Sequence, residues 1–153
     1  MNHILIIEAR FYEDIADMLL NGAVQELEEQ GASFDIVTVP GAFEIPAALA
    51  MAIKTDRYNG FVVLGCVIRG ETSHYDFVCN ESIHGVNKLA IKYHLAVGNG
   101  ILTTENEQQA IERADIVRKN KGKAAASAAL HMIKLKNYLY ERESEIASEC
   151  EIK

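Results

Sequence analysis

The first apolar run of the chain, Ile4-Leu5-Ile6-Ile7, is short, continuous and rich in β-branched residues, which fits a strand covered on both faces. From Ile15 to Leu27 the period changes. Ile15, Ala16, Leu19, Leu20, Ala23, Val24 and Leu27 recur at helical spacing, and Gly31 closes the segment. The alternation then repeats: Phe34 to Val39 reads as a strand, Pro40-Gly41 breaks it, and Ile45 to Ile53 reads as a helix with Pro46 tolerated in its first turn. Phe61 to Ile68 is the most apolar stretch and predicts a central parallel strand, followed by a polar loop from Arg69 to Asp76.

Phe77 to Tyr93 predicts a helix. Ala96-Val97 predicts a weaker strand, interrupted by Gly98-Asn99-Gly100 and resumed by Ile101-Leu102. Glu105 to Val117 and the alanine-rich Ala124 to Leu139 are helical by propensity. Lys119, Lys121 and Lys123 around Gly122 read as a surface turn that could also face an anion, and the residues from Tyr138 read as a charged, solvated helical tail. Strands alternating with helices indicate a parallel sheet covered on both faces, with no linker where a second domain would begin. Ligands in such sheets bind beyond the carboxyl ends of the strands. The loops to inspect are therefore 9–12, 40–44, 69–76 and the region near Asn99.

Length and charge narrow the function. The 153 residues suit one domain, which hides roughly 70% of its unfolded surface. With 15 Lys+Arg against 22 Asp+Glu the chain is net acidic at −7, the wrong balance for a general nucleic-acid binder. No uncharged apolar run reaches the roughly 18 residues of a membrane span and no basic leader is visible, so a cytoplasmic protein is expected. Cys66, Cys79 and Cys150 are odd in number and form no CxxC pair, and no histidine belongs to an HExxH pattern. Neither a disulfide framework nor a metal centre is expected.

Several residues in the ligand-side loops carry chemistry. Amides near Gly70, Glu71 and Thr72, at a strand-to-helix transition, either cradle a phosphate or belong to an ordinary polar loop, since the segment is neither a Walker A motif nor a dinucleotide fingerprint. His74 offers an imidazole for proton transfer, or serves as a surface group. Glu44 either faces a ligand or caps the helix it precedes, and Phe11 either stacks on a planar ring or packs. Cys66, inside an apolar strand, reads as a packing residue rather than a nucleophile.

Taken in order, Ala9-Arg10-Phe11, Gly22-Ala23, Val39-Pro40-Gly41-Ala42-Phe43-Glu44-Ile45-Pro46, Leu64 to Asp76 with its GCVIRGETSHYD core, Asn99-Gly100-Ile101-Leu102-Thr103, Glu107-Gln108-Gln109-Ala110 with Arg113, and Lys121-Gly122 closely resemble the 6,7-dimethyl-8-ribityllumazine synthase family of riboflavin biosynthesis. The likeness spans about residues 4 to 137. It implies a flavodoxin-like three-layer α/β sandwich acting as one domain over 1–153, with the charged tail from about 138. The implied reaction condenses 5-amino-6-(D-ribitylamino)uracil with 3,4-dihydroxy-2-butanone 4-phosphate, releasing phosphate and water, with neither metal nor organic cofactor.

By the same resemblance His74 is the proton-transferring residue, and Phe11 stacks on the pyrimidine. Ala42, Phe43 and Glu44 meet the ribityl chain and ring, while the backbone of Cys66, Val67 and Ile68 reads the pyrimidine edge. Arg113, Glu71 and Thr72 hold phosphate, with Lys121 nearby. Asn99 stands where many members place a second aromatic, and Tyr12 where asparagine often follows the phenylalanine. These departures imply weaker pyrimidine binding before any loss of activity. The family also implies a homopentamer with active sites shared at subunit interfaces, higher assemblies of pentamers, and riboflavin synthase as a candidate partner. The segment from Lys88 to Ala96 does not choose among pentamer, decamer and shell. A binding protein without turnover, a flavodoxin-like electron carrier and a structural shell component are the competing readings.

Overall fold

The computed structural model describes residues 1–151, except for the side chains of 145 and 148–151, and residues 152 and 153 lie outside it. The sequence expectation for Cys150 and for the glutamates at 145, 149 and 151 therefore falls outside the described side chains. Four strands, β1 (His3–Ala9), β2 (Ser33–Val39), β3 (Gly60–Ile68) and β4 (Val97–Thr104), form one parallel sheet in the order β2-β1-β3-β4. The two central strands are the two continuous apolar runs. Ile4, Ile6, Ile7, Val62 and Val63 are fully buried, as a doubly covered parallel sheet requires. The edge strand β2 is half-buried or exposed along its length.

Five helices cover the two faces: α1 (Glu13–Glu29), α2 (Ile45–Ile53), α3 (His74–Tyr93), α4 (Glu107–Ala114) and α5 (Lys121–Glu151). On one face Ile15, Leu19 and Leu27 of α1 pack with Ala110 of α4 and Ala125, Ala126, Ala129 and Ile133 of α5 over Ile4, Ile6, Val62 and Leu64. On the other, Ile45 and Leu49 of α2 and Val86 of α3 pack over Leu5, Ile7, Phe61 and Val63. This is the expected three-layer α/β sandwich. Gly31, at φ +69°, and His94, at φ +53°, end α1 and α3 in the left-handed region.

Four boundaries differ from expectation, two of them because a glycine admits a neighbouring helix. Gly98-Asn99-Gly100 does not interrupt β4, which runs unbroken beside β3. A Cβ at Gly98 would lie 1.7 Å from the Ala125 carbonyl oxygen, so glycine there admits α5 onto the strand. The 69–76 loop is shorter than its polarity suggested, because α3 already begins at His74. The α4 helix covers Glu107–Ala114 rather than 105–117, with Asn106 Oδ1 accepting from Gln109 N at 2.9 Å as its cap.

Lys121 and Gly122 belong to α5 rather than to a surface turn. The turn itself sits earlier, ending at Asn120 with φ +43°. Gly122 is pressed against α1, where a Cβ would fall 2.0 Å from the Leu19 carbonyl oxygen. Lys123 is drawn to the same helix by Glu26, at 3.2 Å, and Glu29, at 3.4 Å.

Candidate active site

The carboxyl ends of β1, β2 and β3 open into a cleft of about 430 Å³. Its wall and floor come from Phe11 and Tyr12 after β1, Pro40 to Glu44 after β2, Cys66 to Ile68 at the end of β3, and Gly70, Thr72, His74, Tyr75 and Val78 around the start of α3. A cleft at this edge is where a parallel α/β sheet binds ligands.

Phe11 is held out into the cleft by the turn beneath it. Arg10 bridges Glu8, at 2.9 Å, and Asp17 of α1, which raises the pKa of its guanidinium further. Glu8 is buried and also accepts a hydrogen bond from Thr38 Oγ1 at 3.1 Å. Strand end, neighbouring strand and helix start are thereby tied together, and the Phe11 ring is left 71% exposed. Tyr12 meets it edge-on, with centroids 5.0 Å apart. Burial pushes the Tyr12 phenol pKa up.

The second wall is a single 3-10 turn, Ala42–Glu44, between β2 and α2. Ala42 is buried against the core, whereas Phe43 and Glu44 are exposed. Glu44 occupies the N-cap position of α2 yet makes no capping hydrogen bond through its side chain. Its carboxylate is left for the cleft, and a Cβ at Gly41 would sit 3.2 Å from its Oε2.

At the floor, Cys66 is buried and desolvation pushes its thiol up to about 12. Such a thiol stays protonated at neutral pH and supplies no nucleophile. Beyond it the chain turns at Arg69, whose guanidinium is fixed from three sides. Its Nε donates to Glu105 Oε2 at 2.7 Å, its Nη2 to Asp76 Oδ1 at 3.4 Å, and it lies 4.3 Å above the Tyr75 ring. The Arg69 N–H also donates to the Thr104 carbonyl at 2.9 Å. This clamp ties the 70–73 loop to the first turn of α3 and to the end of β4. Within the loop the His74 N–H donates to Thr72 Oγ1 at 3.3 Å and the Asp76 N–H to the Ser73 carbonyl at 3.0 Å, and His74 opens a 20-residue helix whose amino end borders the cleft.

Phe11, Ala42, Phe43, Glu44, Cys66, Val67, Ile68, Thr72 and His74 thus converge on one cleft. Glu71, Asn99, Arg113 and Lys121 do not line it. Asn99 stands near the start of β4, opposite Val63 and away from the carboxyl end, and its Oδ1 accepts from the Ile101 N–H at 2.9 Å. The expectation that the Asn99 region belongs to the ligand-side loops does not hold within one chain. Arg113 is half-buried on α4, donates to the Gln109 carbonyl at 3.1 Å, and has no carboxylate partner among the described residues. Lys121 is exposed at the first residue of α5.

Sequence reasoning passed over Tyr75 and Val78 as cleft residues and Arg69 as the clamp. Reading the helix from His74 would have exposed the first two, at one and four residues further on, and Asp76 lies seven residues from Arg69.

The similarities agree with this geometry. A model of the 6,7-dimethyl-8-ribityllumazine synthase family matches residues 2–137. The chain belongs to that family. It is 58% identical over 136 residues to the 6,7-dimethyl-8-ribityllumazine synthase of Bartonella henselae, covering 88% of each chain. It is 56% identical over 142 residues to 6,7-dimethyl-8-ribityllumazine synthase 1 of Rhizobium meliloti, with 90% of this chain and 93% of that one covered. The synthase of Zymomonas mobilis is 55% identical over 139 residues, 91% of this chain and 99% of its own. Among the described residues no group of three or more His, Cys, Asp and Glu could hold a metal ion, and no helix is long and apolar enough to cross a membrane.

Proposed function

We propose that the chain is a lumazine synthase, condensing 5-amino-6-(D-ribitylamino)uracil with 3,4-dihydroxy-2-butanone 4-phosphate and releasing phosphate and water. The observation that carries the reading is the convergence of an exposed aromatic, an uncapped carboxylate, a strand-end backbone and an imidazole at a helix start on one cleft, in a chain matched by the family over residues 2–137. In this reading Phe11 stacks on the pyrimidine, the backbone of Cys66, Val67 and Ile68 reads its edge, and Ala42, Phe43 and Glu44 meet the ribityl chain.

The reaction then needs little beyond positioning and proton transfer. The amine attacks the ketone, a first water leaves to give an imine, phosphate is eliminated, and tautomerisation and ring closure with loss of a second water follow. His74 delivers and removes protons at the amine, carbonyl and leaving group, help of a kind worth about 10²–10⁴-fold. Thr72 at the cleft and the backbone of the adjoining Glu71 supply the loop that holds the phosphate beside the amino end of α3, whose dipole favours an anion. Holding both substrates in one cleft replaces much of the entropy that a bimolecular encounter loses.

Arg113, Lys121 and Asn99 enter this reading from a neighbouring copy. None of the three lines the cleft of its own chain, which supports a site shared between subunits, in a homopentamer or an assembly of pentamers. A guanidinium without a carboxylate partner suits the phosphate, which it grips in a bidentate way that lysine does not reproduce. The phosphorylated substrate, which does not cross membranes freely, favours a cytoplasmic enzyme, and riboflavin synthase is the candidate consumer of the product. Incubation with both substrates tests the function: phosphate and lumazine appear one to one if the reading holds, whereas tight lumazine binding without phosphate release would make the chain a binding protein.

A further inference from the structure

The loop between β3 and α3, residues 70–73, is fastened only at its ends. Among the described residues none accepts a hydrogen bond from the backbone N–H of Gly70, Glu71, Thr72 or Ser73. A segment without ladder bonds of its own keeps conformational freedom, and whatever freedom it gives up on holding an anion weakens the binding.

Arg69 restrains both ends of that loop. Its N–H donates to the Thr104 carbonyl at 2.9 Å, which fixes where the loop leaves the sheet. Its guanidinium lies 4.3 Å above the Tyr75 ring and reaches Asp76 at 3.4 Å, which fixes where the loop enters α3. Glu105 Oε2, 2.7 Å from Nε, holds the guanidinium from the end of β4. Glu105 is anchored in turn, its N–H donating to Gln109 Oε1 at 2.9 Å. A planar guanidinium serves all three partners because its donors form a fixed fork and its face stays free for the ring. All of these contacts lie within one chain.

The side chain of Arg69 does not line the cleft, whereas Gly70 and Thr72 do. Two carboxylates against one guanidinium also leave the cluster net negative, so its field disfavours an anion close by. What it offers a phosphate is therefore shape and not charge. We propose that Arg69, through its bridge to Glu105 and Asp76, is a positioning residue for the phosphate end of the cleft, pre-setting the 70–73 loop for the phosphorylated substrate and leaving the pyrimidine end unaffected. This deepens the catalytic reading above and rests on its assignment of the loop to phosphate.

The test is calorimetric titration of the intact protein with inorganic phosphate, beside the Michaelis constants of both substrates. Glu105→Gln removes a negative charge but keeps an oxygen to accept from Arg69 Nε, and the dissociation constant for phosphate is expected to stay within about twofold of wild type. Glu105→Ala removes charge and acceptor together. The dissociation constant should then rise roughly fivefold, the upper end for an exposed ion pair, with the same rise in the Michaelis constant for the sugar phosphate and none for the amine. Arg69→Lys keeps the charge, loses the fork, and is expected to behave as Glu105→Ala does. Glu105 lies outside both core clusters, so its two variants keep the fold and the comparison stands even where Arg69→Lys does not fold.

Tighter phosphate binding in both Glu105 variants would make the cluster a matter of charge and overturn the proposal. Equal rises in the two Michaelis constants, the mark of a general loss of structure, would overturn it as well. Wild-type protein that binds no phosphate would remove the loop's assignment and the positioning role with it. Wild-type protein that binds phosphate but makes no lumazine would overturn the catalytic reading alone, and the phosphate titrations would still decide the role of Arg69.

Discussion

Replacing Phe11 by alanine separates binding from folding with unusual clarity. A phenylalanine presents about 200 Å² of surface, of which 71% is open to solvent here, leaving roughly 140 Å² for a ligand to cover. A pyrimidine stacked on one face covers about half of that, roughly 70 Å², which at about 25 cal/mol per Å² contributes about 1.8 kcal/mol. Phe11→Ala is therefore expected to raise the Michaelis constant for the ribitylaminouracil roughly 20-fold. Because the ring contributes little to the core, the melting temperature should move by no more than a degree or two. Steady-state titration of the amine at saturating sugar phosphate, beside a thermal melt, reads both quantities. A Michaelis constant within twofold of wild type would refute the stacking role, and a large fall in melting temperature would show that the ring supports the fold.

Other consequences follow from the same geometry. His74→Ala should lower kcat by about 10²–10⁴-fold while leaving the melting temperature unchanged, as measured by phosphate release. Gly98→Ala forces a methyl group into the Ala125 carbonyl and should cost about 3 kcal/mol, seen as a fall of roughly 6–12 °C in melting temperature. The thiol of Cys66, pushed up to about 12 by burial, should resist iodoacetamide at pH 8 and react only as the solution becomes strongly alkaline, which mass spectrometry of the alkylated peptide would follow. The sign is set by the raised value: the neutral thiol of the folded state is favoured at neutral pH, and that preference weakens as pH climbs past the unfolded thiol's value toward 12.

Much of this architecture was legible in the order of residues because the period of the apolar positions changed cleanly between strands and helices. Ile45 to Ile53 was read to the residue, and the two continuous apolar runs became the two central strands. What misled were positions where a small residue serves a distant neighbour. Gly98 and Gly122 look like breaks along the chain, yet each admits a helix backbone that local sequence does not reveal. The cleft was legible in part. Phe11, Glu44 and His74 could be singled out from their place after strands, whereas the clamp on Arg69 joins Glu105 and Asp76 from two other segments. The separation of Arg113 and Asn99 from the cleft is a property of the folded chain that no local pattern expresses.

The measurement that bears most directly on the account mixes two inactive variants. His74→Ala and Arg113→Ala chains, each purified, dissociated and reassembled together in equal amounts, form sites in which cleft and guanidinium come from different copies. About a quarter of those sites then contain both native residues, so about a quarter of wild-type phosphate release should return, while each variant alone stays slow. Activity in the mixture no greater than the average of the separate variants would contradict a site shared between chains.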